Sequence, residues 1–321
     1  MTTIVSFCGG GIRGLLSATL LHRLYQMNQN ILSNTTIFAG CSTGAGIVSQ
    51  LLAGRTPLDI IENYQSQAPF YEKQSTAPNA PAYDIKTVFD VQWQLHGNAD
   101  PALGSFTQQA VILAYDLGSS ANEPWGPIIY NNLPSSPNQT VGIATAVTQS
   151  AAMPGMFAPY ANGVDGGFAN HDPTLHAIAV AMQNGTPIED IAVIDIGTGL
   201  YSTYMAANCT TWGAQQWQAG DGNANDPQPL LVNGTTCPVL SLSLDGMTTT
   251  AVPQLAQMML GNRYVSLNPP IPFIPENAWT GKQLLQLTTA ANEQDLMPAV
   301  NLMRTYWDLE SLGSSNSARA R

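Results

Sequence analysis

The chain has 321 residues, 44% of them hydrophobic and only 10% charged. That length can bury a sizeable core, and Asn, Gln, Ser and Thr must supply most of the polar surface. A net charge of −11 excludes nucleic acid as a partner, because no basic stripe can displace counterions, and it excludes attachment to anionic membranes by charge alone.

No window approaches the ~18 consecutive apolar residues of a membrane span. Ile4, Val5, Ser6 and Phe7 run straight into a glycine cluster, the pattern of a first strand and not of an export signal. None of the four cysteines, Cys8, Cys41, Cys209 and Cys237, forms a C-x-x-C pair, so no zinc or other metal is expected. Cys8 and Cys41 lie in glycine-rich turns, and nothing supports a Cys209–Cys237 bridge. A reducing cytoplasm is the simpler assumption.

In chain order, residues 4–7 form a short strand closed by Gly9-Gly10-Gly11. Leu15, Leu16, Leu20, Leu21 and Leu24 then recur at helical spacing. Residues 37–39 form a second strand, followed by Gly40-Cys41-Ser42-Thr43-Gly44 and a helix to about residue 53. Strand–turn–helix twice within fifty residues predicts an α/β fold. Residues 68–104 and 208–237 read as surface insertions. Strands are expected at 111–115, 128–130 and 191–196, and a helix at 141–152. Val164-Asp165-Gly166-Gly167 is a turn at a strand end. Asp172-Pro173 starts a further helix, and helices return near 250–260, 281–292 and 296–309. The expected layout is one catalytic domain over 1–310 and a disordered tail over 311–321.

Three segments carry chemistry. Gly40 to Gly44 fits G-x-S-x-G, in which flanking glycines permit a strained turn that lifts the Ser42 hydroxyl to a helix N-terminus. A serine that merely caps the helix is the alternative. Cys8-Gly9-Gly10-Gly11-Ile12-Arg13-Gly14 can aim several N–H groups at one anion. Gly9, Gly11 and Gly14 also satisfy the dinucleotide fingerprint. That reading needs an acid about 20 positions on, and no Asp or Glu precedes Asp59. Arg13 either braces the loop or is a plain surface charge. A serine nucleophile needs a base. Asp165, between glycines, is a candidate and also a common Asp-Gly turn. His22, His96, His171 and His176 lack the spacing of a hydrolase triad.

The three segments, in this order and rough spacing, resemble the patatin-like phospholipase family. Ser150-Ala151-Ala152-Met153-Pro154, Asn170 to Leu175 and Ile196-Gly197-Thr198-Gly199 resemble its secondary motifs. The resemblance implies a three-layer α/β/α fold with a mostly parallel central sheet. It implies a lipid acyl hydrolase that needs no cofactor, acting on a lipid or acyl ester with transient membrane-surface contact. Matched residue by residue, Ser42 is the nucleophile and Asp165 the base. Gly9, Gly10, Gly11 and Arg13 belong to the oxyanion hole, Gly40 and Gly44 to the nucleophile elbow, and Gly166 and Gly167 to the base turn. Cys8 departs from the family, which usually has Asp there. Three other readings stand beside this one: an esterase or acyltransferase using His171 or His176, a nucleotide-binding module, and a non-catalytic lipid-binding protein.

Overall fold

In the computed structural model, residues 1–75, 77, 79–201, 209–220, 237–239, 242–243 and 250–308 are described. The expected tail over 311–321 and most of the 208–237 segment lie outside them. The strands are β1 (Thr2–Phe7), β2 (Ile37–Cys41), β3 (Gln109–Asp116), β4 (Gly126–Asn131), β5 (Gly163–Asp165), β6 (Ile191–Ile196) and β7 (Tyr264–Leu267). The helices are α1 (Gly14–Met27), α2 (Asn30–Ser33), α3 (Thr43–Leu52), α4 (Pro57–Glu72), α5 (Ile85–Leu95) and α6 (Ile143–Ser150). They continue with α7 (Gly167–Asn170), α8 (Thr174–Gln183), α9 (Ala214–Ala219), α10 (Val252–Leu260), α11 (Gly281–Glu293) and α12 (Met297–Tyr306).

The strands form one sheet in the order β4-β3-β2-β1-β6-β7, with β5 also paired to β3. β2, β1, β6 and β7 run parallel, and β3 joins them in the same direction. Only β4 and β5 are antiparallel, both against β3. Successive side chains of a strand face opposite layers. Val5 and Phe7 accordingly pack with Leu16 and Leu20 of α1, Ile60 of α4 and Met303 of α12. Ile4 and Val193 pack with Ile178 of α8 and Leu260 of α10 on the other face. The expected three-layer α/β/α architecture with a mostly parallel sheet is present.

Among the elements that escaped the sequence reading are α4, α5 and β7. α4 opens on a reciprocal capping box, in which Thr56 accepts from the Asp59 N–H and the Asp59 carboxylate accepts from the Thr56 N–H, with Pro57 in the first turn. α5 begins at Asp84, whose carboxylate accepts the Lys86 N–H. Thus 68–104, read as a surface excursion of weak periodicity, contains the end of α4 and all of α5. β7 adds a fourth parallel pairing, beside β6.

The C-terminal helix is pinned by Trp307, which is buried and donates its indole N–H to Thr35 Oγ1 at 2.8 Å. Trp307→Ala removes that packing and the indole donor, leaving the Thr35 hydroxyl with its own bond to the Ile31 carbonyl. Urea denaturation is expected to show a loss of about 3–5 kcal/mol.

Candidate active site

Ser42 occupies the single residue between β2 and α3, with φ 51° and ψ −118°. L residues rarely adopt this conformation, and they hold it only where the surroundings over-determine it. A Cβ at Gly40 would lie 2.4 Å from the Gly44 carbonyl oxygen, and one at Gly44 would lie 2.1 Å from that of Phe7. The two glycines are therefore steric requirements of the turn. The Ser42 N–H donates to Ser150 Oγ at 2.8 Å, and the residue stands at the positive end of α3.

Strand register brings Asp165 to the same place. β4 occupies one edge of β3. Along the other edge β2 ends with Cys41 opposite Leu113, and on the next rung Ala114 pairs with Asp165 of β5. β2 and β5 thus meet head to head, with Ser42 just past one end and Asp165 at the other. The approach is close, since a Cβ at Gly166 would lie 2.2 Å from the Leu113 carbonyl oxygen and 3.0 Å from Cys41 Sγ. Ser150 ties the two halves, because its carbonyl accepts the Gly166 N–H at 3.1 Å while its hydroxyl holds Ser42.

Asp165 is fully buried. Its Oδ1 accepts the Gly167 N–H at 2.7 Å, and His171 Nε2 stands 3.6 Å from the same oxygen. Oδ2 has no hydrogen-bond partner among the described residues. His22 bonds Gln26 on α1, and His96 bonds Ser49. Among the described residues no hydrogen bond or ion pair joins His176 to Ser42 or Asp165. His171 alone of the four histidines borders the site, its ring 3.1 Å and the Ser42 Cβ 3.4 Å from where a Cβ on Gly9 would be.

The glycine loop lies alongside. The Gly9 N–H is engaged by the His171 carbonyl at 2.8 Å, and the Arg13 N–H by the Gly10 carbonyl at 3.1 Å. The Arg13 guanidinium is committed to Glu276 at 3.2 Å. Two of the four expected oxyanion donors are therefore occupied. The N–H groups of Gly10 and Gly11 carry no hydrogen bond among the described residues. Gly11 has φ 57°, and a Cβ there would lie 2.3 Å from the Glu276 carbonyl oxygen. Thr198 braces the loop by donating to the Gly9 carbonyl at 2.9 Å.

Behind the loop, Cys8, Asp172 and Asp195 bring their ligand atoms within 4.8 Å of one another, a group that could hold a cation. Its hydrogen bonds read more simply as those of a carboxylate beside a carboxylic acid. Asp195 accepts from Tyr264 and Ser266 at 3.0 and 2.8 Å, and the Cys8 thiol points to it at 3.6 Å. Asp172 Oδ1 accepts the Thr174 N–H at 2.9 Å, and among the described residues its donors come from Thr174 alone. Burial, then the charge of Asp195, pushes the Asp172 carboxyl well above the usual range. Burial also raises Asp195, against the opposing effect of its donors. All four cysteines are free.

A cavity of about 310 Å³ opens on Ser42 and Gly11. Phe70, Tyr71, Val88, Met153 and Phe157 form its apolar wall, and Gln50, Asn63, Gln67 and Gln92 add an amide band. Neither Glu276 nor the α4 and α5 walls carried a functional signal in the sequence. Ser150 and Thr198 did, as parts of the secondary motifs.

A layered α/β/α sheet carrying a strained serine and a buried aspartate on one strand edge is the scaffold that the motifs implied. The model of the family described as patatin-like phospholipase matches residues 5–96, which span the glycine loop and the G-x-S-x-G turn. CotR of Bacillus subtilis is 26% identical over 317 residues, covering 95% of this chain and 98% of its own. Patatin-T5 of Solanum tuberosum is 26% identical over 266 residues, 68% of this chain and 66% of its own. The crystal structure of VipD from Legionella pneumophila aligns with a TM-score of 0.40 and 13% identity, over 90% of this chain and 67% of that one. The resemblance to patatin-like phospholipases is thus borne out, and at the level of the family it supports a lipid acyl hydrolase. No helix among the described residues is long and apolar enough to cross a membrane.

Ser150→Ala leaves the Ser42 N–H without its acceptor, and urea denaturation is expected to show a loss of about 1–3 kcal/mol. The raised carboxyls of Asp172 and Asp195 favour their protonated forms in the fold. The stability they confer is present below the ordinary carboxylate range and is lost as pH rises towards the folded values. Asp172→Asn keeps the acceptor for Thr174 and removes one ionisation. Its stability should rise relative to the wild type as pH rises from about 4, and a variant urea midpoint that falls relative to that of the wild type over this range would contradict this.

Proposed function

We propose that the protein hydrolyses carboxylic esters of lipids through an acyl-enzyme on Ser42, with Asp165 as general base. The observation that carries this reading is the head-to-head meeting of β2 and β5 on one edge of β3. Asp165 Oδ2 takes the hydroxyl proton as Ser42 Oγ attacks the ester carbonyl. The oxyanion rests on the Gly10 and Gly11 amides, a stabilisation worth roughly 3–4 kcal/mol per donor. Collapse expels the alcohol, which leaves with the proton from Asp165. The freed carboxylate then deprotonates water, which attacks the acyl-enzyme; collapse breaks the acyl–Oγ bond, Asp165 returns the proton to Ser42 Oγ, and the fatty acid is released. The apolar cavity beside Ser42 takes the acyl chain.

A second reading is favoured by the 3.6 Å approach of His171 Nε2 to Asp165, in which the imidazole serves as the base and Asp165 orients it. Ser42→Ala is expected to lower ester turnover by about 10³-fold or more, with its circular dichroism spectrum unchanged. Asp165→Asn should be nearly as damaging. Retained p-nitrophenyl ester cleavage in Ser42→Ala rejects the nucleophile. A His171→Ala loss equal to that of Asp165→Asn selects the second reading.

A further inference from the structure

The surroundings of the cavity bear on the alcohol part of the ester. Between Arg55 and Arg263 the sequence contains only two cationic side chains, Lys73 and Lys86. This stretch supplies most of the cavity wall. Both lysines are exposed, at the ends of α4 and α5, and neither lines the cavity. Lys86 is bound to Asp90 at 2.6 Å.

The one cation beside the glycine loop among the described residues is Arg13, and both of its terminal nitrogens are engaged. Nη2 bonds Glu276 Oε1 at 3.2 Å, Nη1 bonds the Ile274 carbonyl at 3.3 Å, and the guanidinium lies 5.1 Å from the centre of the Tyr201 ring. Arg13 is 4% exposed. Of the two ion-pair partners it is Glu276 that lines the cavity, while Arg13 stands behind it. A phosphate bonded to the alcohol carbons of a scissile ester must sit near Ser42. Phosphate recognition draws on Arg or Lys in bidentate or point-charge contact, and here the charged residue facing that space is an acid.

We infer that the site selects acyl esters whose alcohol part carries no negative charge, such as monoacylglycerols, and that Glu276 disfavours anionic head groups. The inference rests on the hydrolase reading and goes further, since the acyl chain alone does not discriminate among lipids. The repulsion is electrostatic, so it weakens as salt shortens the screening length.

The test measures fatty-acid release by the full chain from monooleoylglycerol and from oleoyl lysophosphatidic acid, which share one acyl chain, in micelles of uncharged detergent. The wild type should favour the glyceride by about tenfold or more at low salt, and the ratio should narrow as sodium chloride is raised. Glu276→Gln, which keeps an acceptor for Arg13 and removes the negative charge, should narrow the ratio at every salt concentration. Equal rates or a preference for the phosphate ester in the wild type overturn the inference. So does a ratio that neither salt nor Glu276→Gln changes. The salt series on the wild type decides even if the variant does not fold. Fluorophosphonate labelling of Ser42 separates the two levels: labelling without a glyceride preference overturns the substrate class alone, whereas no labelling and no turnover overturn the hydrolase reading with it.

Discussion

One edge of β3 is shared end to end by two strands that arrive from opposite directions, and the site depends on that junction. A parallel strand, β2, stops at Cys41. An antiparallel strand, β5, ends one rung further along. A strand that stops in the middle of a sheet leaves backbone groups needing partners, and the chain supplies them from the end of α6. The Ser150 hydroxyl takes the Ser42 N–H, its carbonyl takes the Gly166 N–H, and the Ala152 carbonyl takes the Asp165 N–H at 3.1 Å. The connection that satisfies the junction therefore also sets the distance between the serine turn and the aspartate turn. Glycine is required on both sides because backbone passes against backbone there.

How much of this was legible depends on whether the constraint is local. Gly40 and Gly44 could be read because the turn that needs them lies within five residues. Asp165 could not be separated from an ordinary Asp-Gly turn on local grounds, and it was identified only by resemblance. Its meeting with Ser42 is a property of strand order, which no local pattern encodes. α4 was written plainly in the Thr56-Pro57-Leu58-Asp59 start, yet its helix face is largely polar because much of that face borders a cavity and not the core. β7 is four residues long, too short for alternation to stand out. The glycine loop was read as a ring of donors, but which of its amides remain available depends on distant carbonyls of His171 and on the turn closing at Arg13.

Cys8 illustrates how a departure from a family pattern can be absorbed. The family usually has an acid at this position. Here the neighbouring strand carries one, since Asp195 pairs with Ser6 in register, and its Oδ1 lies 3.6 Å from Cys8 Sγ. A carboxylate thus lies behind the glycine loop, carried by the strand beside Cys8. Two further acceptors of that cluster lie on the His171–Asp172 turn, whose backbone holds Gly9. The buried polar network thus spans the loop on one side and the base turn on the other, where a half-satisfied group is costly and a fully satisfied one rigidifies its surroundings.

The scarcity of cations gives these contacts a common consequence. Arg13 clamps the Ile274 carbonyl and Glu276. Arg23 donates to the Ala291 and Gln294 carbonyls at the end of α11, and Arg263 to the Ile188 and Ile191 carbonyls at the start of β6. Three arginines therefore donate to backbone oxygens, Arg23 and Arg263 at the ends of elements and Arg13 in the segment before α11, where a rigid planar donor fits well. With a net charge of −11, the same scaffold that secures its chain ends this way has little positive charge left to offer an anionic ligand. On the hydrolase reading proposed above, charge is then not what would draw the protein to an anionic ester.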